Sequence, residues 1–400
     1  MNIIYLSTFL PRANKEYYAN KMHNYNFNSA DTFSYSLFGG LAENLGKKLT
    51  VINVPPLGAF PRYNDLLYSN RCCEFDKDVA ITTIANSNLY VYQYYSIYKN
   101  VLKELKLYKE IKAPVLLIYG INIPIIKAAI KFRNTYSPNS KIVLIVPDLL
   151  EDCMEDTINS KIKMRIIGDI HDLYSQMDGF VLLTEQMNEK IQTTKPYCII
   201  EGIYNANENR NSNNDPNPQE QIIFYSGMLY EKFGVKTLLD AFSQIDNPNI
   251  KLQLCGCGEL EGYIKSKQTT DSRIEYLGLV SREDVLELQS KANLLVNPRS
   301  AQGEFTKYSF PSKNIEYLVS GIPTLIYKLP GIPSEYYDYC FSLDYNQITV
   351  GDLKDKILEI LSLPEKDKIQ LAERARMFIK TEKNSVSQTR KIINLIRSFQ

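Results

Sequence analysis

The chain has 400 residues, of which 44% are hydrophobic, and its formal net charge is +1. A chain of this length is too long for a single hydrophobic core and predicts two domains. A net charge close to zero is not typical of a protein that binds nucleic acid over a broad surface, so nucleic acid is not expected as a partner.

The number and spacing of cysteines and histidines indicate whether disulfides or a metal site are expected. The chain has seven cysteines and two histidines, and the neighbours Cys72 and Cys73 or the pair Cys255 and Cys257 do not have the spacing of a disulfide framework. We expect reduced thiols and no metal site. The first residues lack the pattern of a signal peptide, and no run reaches the roughly 20 apolar residues of a membrane span, so the expected location is the cytoplasm.

The first half alternates short apolar runs with amphipathic ones, which predicts buried parallel strands connected by helices. The runs predicted as strands are Ile3–Leu6, Leu49–Ile52, Val115–Tyr119, Ile142–Val146, Phe180–Leu183 and Tyr197–Ile200. Helices are predicted over Ser34–Leu45 and Ile123–Phe132. The tyrosine-rich segment Leu89–Ser96 fits either a strand or a loop.

Residues 205–219 are rich in Asn and Pro and are predicted to be an interdomain linker. A second alternating series follows, with strands over Gln221–Ser226, Leu252–Cys255, Ile274–Leu277, Asn293–Asn297 and Thr324–Tyr327, and helices over Val235–Ile245, from Ser281 and from Val350. We expect an N-terminal domain over residues 1–204, a C-terminal domain over 220–380, and a last helix over 381–400 that packs on the first domain. The predicted architecture is α/β, with two doubly wound Rossmann-like domains facing across a cleft.

The segment Tyr308–Pro323 has an unusual placement of charge. Pro311 is expected in the first turn of a short helix that Gly321 ends. Ile315, Leu318 and Val319 are predicted to be buried, whereas Lys313, Glu316, Tyr317 and Ser320 share the other face. A helix start carries partial positive charge, so stability alone would favour an acid there. Lys313 is therefore either a solvated surface lysine or the partner of a bound anion.

Ligands of doubly wound sheets bind at the carboxyl ends of the strands. Gly227, Gly256, Gly258 and Gly278 each follow a predicted strand, where glycine lets backbone N–H groups approach a ligand but is also an ordinary turn residue. Lys232 lies just before the helix predicted from Val235. Two lysines, Lys232 and Lys313, near two helix starts on one side of a sheet together predict a site for a diphosphate.

These segments resemble the donor domain of the retaining glycosyltransferases of the GT-B fold, family 4 (group 1) type. The matching pieces are Tyr225–Phe242, Leu252–Gly258, Ile274–Gly278, the helix from Ser281 and the stretch Pro-Ser-Lys-x-x-Glu-Tyr-x-x-Ser-Gly-x-Pro that begins at Pro311. The ordered set, over residues 221 to 330, is more specific than any single piece. The first half resembles the same family through its alternation of predicted strands and helices and through the segment Leu182–Glu185.

The resemblance implies a nucleotide-diphosphate sugar, UDP- or GDP-linked, bound mainly by the second domain, and no separate cofactor. It also implies a saccharide or lipid-linked saccharide acceptor bound by the first domain. Lys232 would contact the diphosphate, Glu316 would hold the ribose hydroxyls, and Leu277 and Gly278 would line the base. The segment Ser309–Ser312 would offer backbone N–H groups to the diphosphate. The other implied donor contacts are Gly227, Met228, Gly256, Gly258, Glu304 and Tyr308, together with Phe310 and Pro311 within that segment.

Two positions depart from the family pattern. Met228 stands where the family has an arginine after the first glycine, and Tyr308 stands where it has the first of two glutamates separated by seven residues. Lys313 is a candidate replacement for the missing cation, and Glu304 is a candidate contact to the sugar. The departures leave open which sugar is used and whether the domain is active.

The expected activity is retaining sugar transfer, by a hexosyl- or related transferase, in polysaccharide or glycoconjugate biosynthesis, with Lys232, Lys313 and Glu316 as the catalytic set. Lysines and helix starts directed at the leaving diphosphate stabilise the negative charge that grows in the transition state. The resemblance implies front-face attack, in which the leaving phosphate helps to deprotonate the acceptor. A sugar-nucleotide epimerase of the same fold and a non-catalytic sugar-nucleotide-binding subunit are the alternatives.

The acceptor side carries fewer signals. Tyr119, Asn122 and Asp148 follow first-domain strands and are candidate acceptor contacts, although Asp148 equally suits a helix cap. A set of lysines shares one helical region with Leu102, Leu105 and Ile111, namely Lys99, Lys103, Lys106, Lys109 and Lys112. That region fits either a solvated helix or peripheral contact with the anionic inner face of a membrane, where a lipid-linked acceptor would be found.

Overall fold

The computed structural model describes residues 1–11, 18, 20–21, 29–46, 49–61, 63–68, 72–76, 79–149, 169–204, 220–344, 347 and 349–399. The chain forms two compact units, Met1–Asn205 together with Ser385–Gln400, and Ala206–Asn384. The predicted linker, residues 205–219, lies outside the described residues.

The first unit is built on a largely parallel sheet. Its strands are β1 (Ile3–Ser7), β2 (Leu49–Asn53), β3 (Leu67–Tyr68), β4 (Cys72–Asp76), β5 (Val79–Thr83), β6 (Asn86–Ser87), β7 (Val115–Tyr119), β8 (Lys141–Val146), β9 (Gly179–Leu182) and β10 (Tyr197–Ile199). Eight of the described strands form one sheet in the order β10-β9-β8-β7-β1-β2-β5-β4, and β3 pairs with β6 separately. Only the β4–β5 pair of the larger sheet is antiparallel.

The helices of the first half include α1 (Ser29–Leu45), α2 (Tyr90–Leu105), α3 (Ile123–Tyr136) and α4 (Met187–Ile191), with a short 3-10 turn at Lys106–Tyr108. The six predicted strands are present with their ends shifted by at most one residue. β3 to β6 were not predicted because they lack a long apolar run, and β4 is an edge strand with the polar sequence Cys-Cys-Glu-Phe-Asp.

The prediction of a strand or loop over Leu89–Ser96 is wrong, because this segment begins α2. The buried residues Ile97, Val101 and Leu105 recur every four positions and pack one face of the helix inward. The tyrosines before them suggested a strand by their propensity alone, and the helical period of the following turns overrides that propensity.

The second unit is a parallel sheet with helices. Its strands are β11 (Gln221–Ser226), β12 (Ile250–Cys255), β13 (Ile274–Gly278), β14 (Leu294–Asn297), β15 (Thr324–Tyr327) and β16 (Phe341–Leu343), in the order β13-β12-β11-β14-β15-β16. Its helices are α5 (Val235–Phe242), α6 (Glu261–Thr270), α7 (Arg282–Ser290), α8 (Lys313–Val319), α9 (Val350–Ser362) and α10 (Glu365–Glu382), with 3-10 turns at Glu231–Phe233, Glu304–Lys307 and Ser334–Tyr339. The strands predicted from their apolar runs are all present.

The last helix, α11 (Ser385–Arg397), belongs to the first unit. It packs on α1, where the Asn44 side chain donates hydrogen bonds to the Val386 carbonyl at 2.7 Å and to the Thr389 hydroxyl at 2.9 Å. Gly40 permits the close approach, because a Cβ at this position would lie 2.3 Å from the Ser385 carbonyl oxygen. Within the described part of the chain, no helix has the length and apolar character needed to cross a bilayer.

Candidate functional site

The candidate site lies at one edge of the second sheet. β11, β12, β13 and β14 run parallel, so their carboxyl ends meet at the same edge. The residues at these ends are Ser226, Cys255, Gly278 and Asn297. The loops that follow contain most of the donor-site residues predicted from the sequence.

The glycines of this edge let neighbouring loops pack backbone against backbone. Gly256 has a φ of +136°, and a Cβ built there would lie 1.8 Å from the Gly227 carbonyl oxygen. The Gly256 N–H donates to the Gly278 carbonyl at 2.8 Å, and the Gly258 N–H donates to the Glu261 carboxylate at 3.1 Å. Both N–H groups therefore have partners inside the protein, and ligand contact by these glycines stays a prediction.

Lys313 opens α8 and faces the end of β11. Its ammonium donates to the Ser226 hydroxyl at 3.3 Å and lies 3.5 Å from one carboxylate oxygen of Glu316. The other oxygen of Glu316 lies 3.7 Å from the guanidinium of Arg282. The Glu316 side chain is mostly buried, with 18% of its surface exposed. Two predicted residues, Lys313 and Glu316, are thus brought together, and Arg282 joins them from α7.

Tyr317 is buried, contrary to its predicted place on the exposed face of α8. Its hydroxyl accepts a hydrogen bond from the Ser226 N–H at 2.9 Å and lies 3.3 Å from the Ser226 carbonyl oxygen. Burial raises the pKa of the Tyr317 hydroxyl well above its ordinary value. The polar end of the ring is satisfied, so the ring joins the core with Phe224 and Leu295. Pro311 and Ser312 precede the helix, whereas Pro311 was expected inside its first turn.

Lys232 lies in the 3-10 turn Glu231–Phe233 that leads into α5. Its side chain is exposed, with the ammonium 5.3 Å from the Phe233 ring centre and 5.7 Å from that of Tyr230. Among the described residues, no carboxylate pairs with this lysine. Its positive charge is therefore available to an anion at this edge.

Arg299, which the sequence interpretation missed, follows β14 and is only partly exposed. Its Nη2 donates to the Ser309 hydroxyl at 2.5 Å, and its guanidinium lies 4.7 Å from the Phe305 ring centre and 5.7 Å from that of Phe233. Burial lowers the pKa of Arg299 to about 10. The rule that ligands bind at the carboxyl ends of strands would have pointed to this residue, two positions beyond Asn297.

The segment Ser309–Ser312 links the 3-10 turn Glu304–Lys307 to α8. In the part of the chain that is described, the backbone N–H groups of Ser309, Phe310 and Ser312 make no hydrogen bond. Phe310 is buried against Tyr336, with the ring centres 5.2 Å apart, and this contact anchors the segment. The segment can therefore offer backbone donors, and their contact with a diphosphate stays a prediction.

Tyr308 is buried, and its hydroxyl donates to the exposed carboxylate of Glu304 at 3.2 Å. Tyr308 therefore orients Glu304, which is the residue suggested to replace the family's acid. Met228 is 57% exposed, and its carbonyl accepts a hydrogen bond from the Tyr225 hydroxyl at 2.9 Å. Leu277 is partly buried against the core next to Gly278, which has a φ of +71°.

The candidate acceptor residues lie in the first unit. Tyr119 is buried at the end of β7, which raises the pKa of its hydroxyl well above the ordinary value. The Asn122 side chain caps α3 by accepting from the Ile125 N–H at 3.3 Å. Asp148 lies beyond the end of β8 and is exposed. Helix capping, which the sequence suggested for Asp148, is present at Asn122. The positions of these three residues give no evidence of acceptor contact.

Comparison with known proteins defines the class. Residues 206–378 match the protein family described as Glycosyl transferases group 1. No curated protein matches the sequence. The predicted transferase class is confirmed: the chain carries a group 1 glycosyltransferase domain and is a glycosyltransferase.

Solved structures similar to the whole chain confirm the predicted fold class. A sucrose-phosphate synthase from Thermosynechococcus elongatus has a TM-score of 0.66 and 14% identity, with 100% of this chain and 99% of that chain covered. A glycosyltransferase from Rickettsia africae has a TM-score of 0.67 and 13% identity, with 99% and 98% covered. The Anabaena protein HepE, solved in complex with UDP, has a TM-score of 0.64 and 13% identity, with both chains fully covered at 100%. The fold consists of two Rossmann-like domains, as in GT-B glycosyltransferases.

Proposed function

We propose that this glycosyltransferase moves a sugar, with retention of anomeric configuration, from a nucleotide-diphosphate sugar to a saccharide or lipid-linked saccharide in polysaccharide or glycoconjugate biosynthesis. The observation that carries the proposal is the clustering of positive groups at one sheet edge. Lys313 reaches Ser226 at the end of β11, and Lys232 stands before α5 with no carboxylate partner among the described residues. A diphosphate is the anion that such a cluster suits.

Each residue then has a separate task. Lys232 and the free N–H groups of Ser309–Ser312 bind the diphosphate, and Lys313 adds a cation next to them. Glu316, held between two cations at 3.5 and 3.7 Å, accepts hydrogen bonds from the ribose hydroxyls. Glu304, oriented by Tyr308, is the candidate contact to the donor sugar.

The chemistry follows from where charge develops. As the bond between the anomeric carbon and the phosphate oxygen breaks, positive charge grows on the sugar and negative charge grows on the leaving diphosphate. Fixed cations and N–H groups stabilise that negative charge more in the transition state than in the ground state. The leaving phosphate oxygen accepts the acceptor's proton on the face where it departs, which gives retention. HepE, solved with UDP and with UDP and glucose, supports UDP-sugars as the first donors to test.

The first prediction tests this assignment. Lys232→Ala and Glu316→Ala should each lower donor turnover by about 10²–10³-fold, because each removes a charged group from the diphosphate or the ribose. The measurement is release of UDP or GDP from a panel of nucleotide sugars, with donor binding followed by thermal shift. The control is Lys251→Ala, whose ammonium pairs with Glu220 at 2.9 Å at the amino end of β12.

Normal turnover in both folded variants would contradict the assignment. Binding of a nucleotide sugar by the wild type without transfer or hydrolysis would favour a non-catalytic binding subunit. Conversion of the sugar to its epimer, with nucleotide release that needs no acceptor, would favour an epimerase.

We also propose peripheral contact with a membrane, through a surface that the sequence interpretation treated as ambiguous. An aromatic patch is exposed around the start of α2 and consists of Phe60, Leu66, Leu67, Leu89, Tyr90, Tyr92, Tyr94 and Tyr95. Asn88 holds its parts together, because its N–H donates to the Leu66 carbonyl at 2.7 Å and its carbonyl accepts from the Phe60 N–H at 3.0 Å. Exposed apolar patches of this kind mark binding surfaces.

Charge selects the partner of the aromatic patch. A lysine row continues from it along α2 and the following turn, with Lys99, Lys103, Lys106, Lys109 and Lys112 all exposed. Tyrosines suit the boundary between water and lipid, and lysines suit anionic headgroups. An anionic bilayer matches both features, and it is where a lipid-linked saccharide acceptor would be presented.

A further inference from the structure

Arg299 is a partly buried cation that lacks a countercharge. Among the described residues no carboxylate pairs with it, and its Nε is buried without a hydrogen-bond partner. Burial of a charge without an opposite charge is costly, and a bound anion would offset this cost. The low pKa of the guanidinium, about 10, has the same origin in burial.

Arg273 provides an internal comparison. Its guanidinium also lies over an aromatic ring, 4.9 Å from the centre of Phe242. Unlike Arg299, it forms a hydrogen-bonded ion pair with Asp271 at 2.7 Å and donates to the Ile245 carbonyl at 2.6 Å. Arg273 is therefore satisfied as a structural residue, whereas among the described residues the Arg299 guanidinium makes one hydrogen bond, to a hydroxyl.

Arg299 also lies where the loops of the candidate site converge. The Phe233 ring beside it belongs to the turn that carries Lys232, and Ser309 begins the segment that leads to Lys313. A Cβ at Gly234 would lie 1.9 Å from the Pro298 carbonyl oxygen, so the loop after β14 packs closely against the start of α5. The guanidinium is thus fixed between the two segments that are proposed to bind the diphosphate.

We propose that Arg299 is a further anion-binding residue of the donor site and contacts the diphosphate together with Lys232. The inference rests on the proposed function, because it assigns another residue to the same donor. The Phe305 and Phe233 rings orient the guanidinium, and its Nη2 donates to the Ser309 hydroxyl, which leaves Nη1 to donate to a phosphate oxygen. Met228, exposed nearby, offers no charge of its own.

The test measures how much the second phosphate contributes to binding. Calorimetry gives the ratio of the dissociation constant for UMP to that for UDP, and the same for GMP and GDP, with the full-length chain. Arg299→Gln should lower this ratio by about tenfold or more, as expected when one charge-assisted contact is lost. Arg299→Lys keeps the charge but loses the fork and should give an intermediate ratio.

The controls separate the possible failures. Arg273→Gln should lower the melting temperature but leave the ratio at the wild-type value. If Arg299 only ties loops together, its variants should weaken UMP and UDP equally, and a wild-type ratio in every folded Arg299 variant would overturn the inference. Failure of the wild type to bind UDP or GDP would instead count against the proposed function itself.

Discussion

At the scale of single residues, the site depends on how Ser226 is held. Its N–H donates to the buried Tyr317 hydroxyl at 2.9 Å, and its own hydroxyl receives the Lys313 ammonium at 3.3 Å. One turn of α8 therefore supplies both the lysine and the tyrosine that contact the end of β11. The position of Lys313 is coupled to a core residue, Tyr317, four positions further along the helix.

Tyr317→Phe should lower the stability of the second unit by about 1–3 kcal/mol, because it leaves a buried N–H without its acceptor. The matched control is Tyr327→Phe, since the Tyr327 hydroxyl is buried with no hydrogen-bond partner among the described residues, and its removal should be neutral or stabilising. Differential scanning calorimetry of the full chain measures both. Equal melting temperatures for Tyr317→Phe and the wild type would show that the hydroxyl contributes little.

At the scale of elements, the loops after β11 and β12 act as one packed layer. The Gly227 N–H donates to the Cys255 carbonyl at 3.0 Å, and the Leu229 N–H donates to the Cys257 carbonyl at 2.9 Å. These bonds continue the strand pairing beyond the sheet edge. They keep the backbone beside Lys313 rigid, which an electrostatically preorganised site requires.

Gly256→Ala should destabilise the second unit by about 3 kcal/mol or more, because the new methyl group would overlap the Gly227 carbonyl oxygen and the φ of +136° disfavours any side chain. Gly262→Ala in α6 is the matched control, since nothing lies within 4 Å of a Cβ there. It should stabilise the helix by about 0.5 kcal/mol. Thermal unfolding and donor binding are measured for both variants, and tolerance of Gly256→Ala would contradict the packed-layer description.

At the scale of the whole molecule, the chain returns to its first unit at the end. α11 packs on α1, and Ile392 and Ile396 enter the core that contains Leu41 and Val51. The first unit thus requires segments from both ends of the sequence. The same unit carries the aromatic patch and the lysine row, so the proposed membrane surface and the donor site belong to different units.

The membrane proposal predicts salt-sensitive binding to vesicles of phosphatidylglycerol and phosphatidylcholine, and little binding to phosphatidylcholine alone. Lys103→Glu with Lys109→Glu should reduce flotation about tenfold or more, because each surface lysine contributes about 1 kcal/mol near an anionic bilayer. Tyr92→Ser with Tyr95→Ser should reduce the vesicle binding that persists in high salt.

The control for flotation is Lys265→Glu with Lys291→Glu, which changes the net charge by the same amount but on the second unit. Equal flotation of the lysine-row variants and this control would contradict the proposal. Concentration-dependent self-association that is abolished by Tyr92→Ser would instead identify the aromatic patch as an interface between copies of the chain.

Much of the fold and part of the site could be predicted from local patterns. Strands buried on both faces need continuous apolar runs, so β7, β11 and β15 were predicted with their observed bounds. The start of α7 was predicted at Ser281, and there the Asp284 N–H donates to the Ser281 hydroxyl at 3.1 Å and caps the helix. The ordered strand-end segments were enough to indicate a glycosyltransferase.

Only the tertiary structure decided what depends on distant neighbours. Tyr317 is buried because Ser226, 91 residues away, satisfies its hydroxyl, and no local period encodes that contact. Arg299 is identified as a cation with no carboxylate partner, within the described ranges, only when the rings and the hydroxyl around it are in place. The sequence by itself determined the elements, because hydrophobic period and turn chemistry are local, and its resemblance to a known family indicated the class of enzyme. Burial and charge compensation at the site are instead set by residues that meet only in the folded chain.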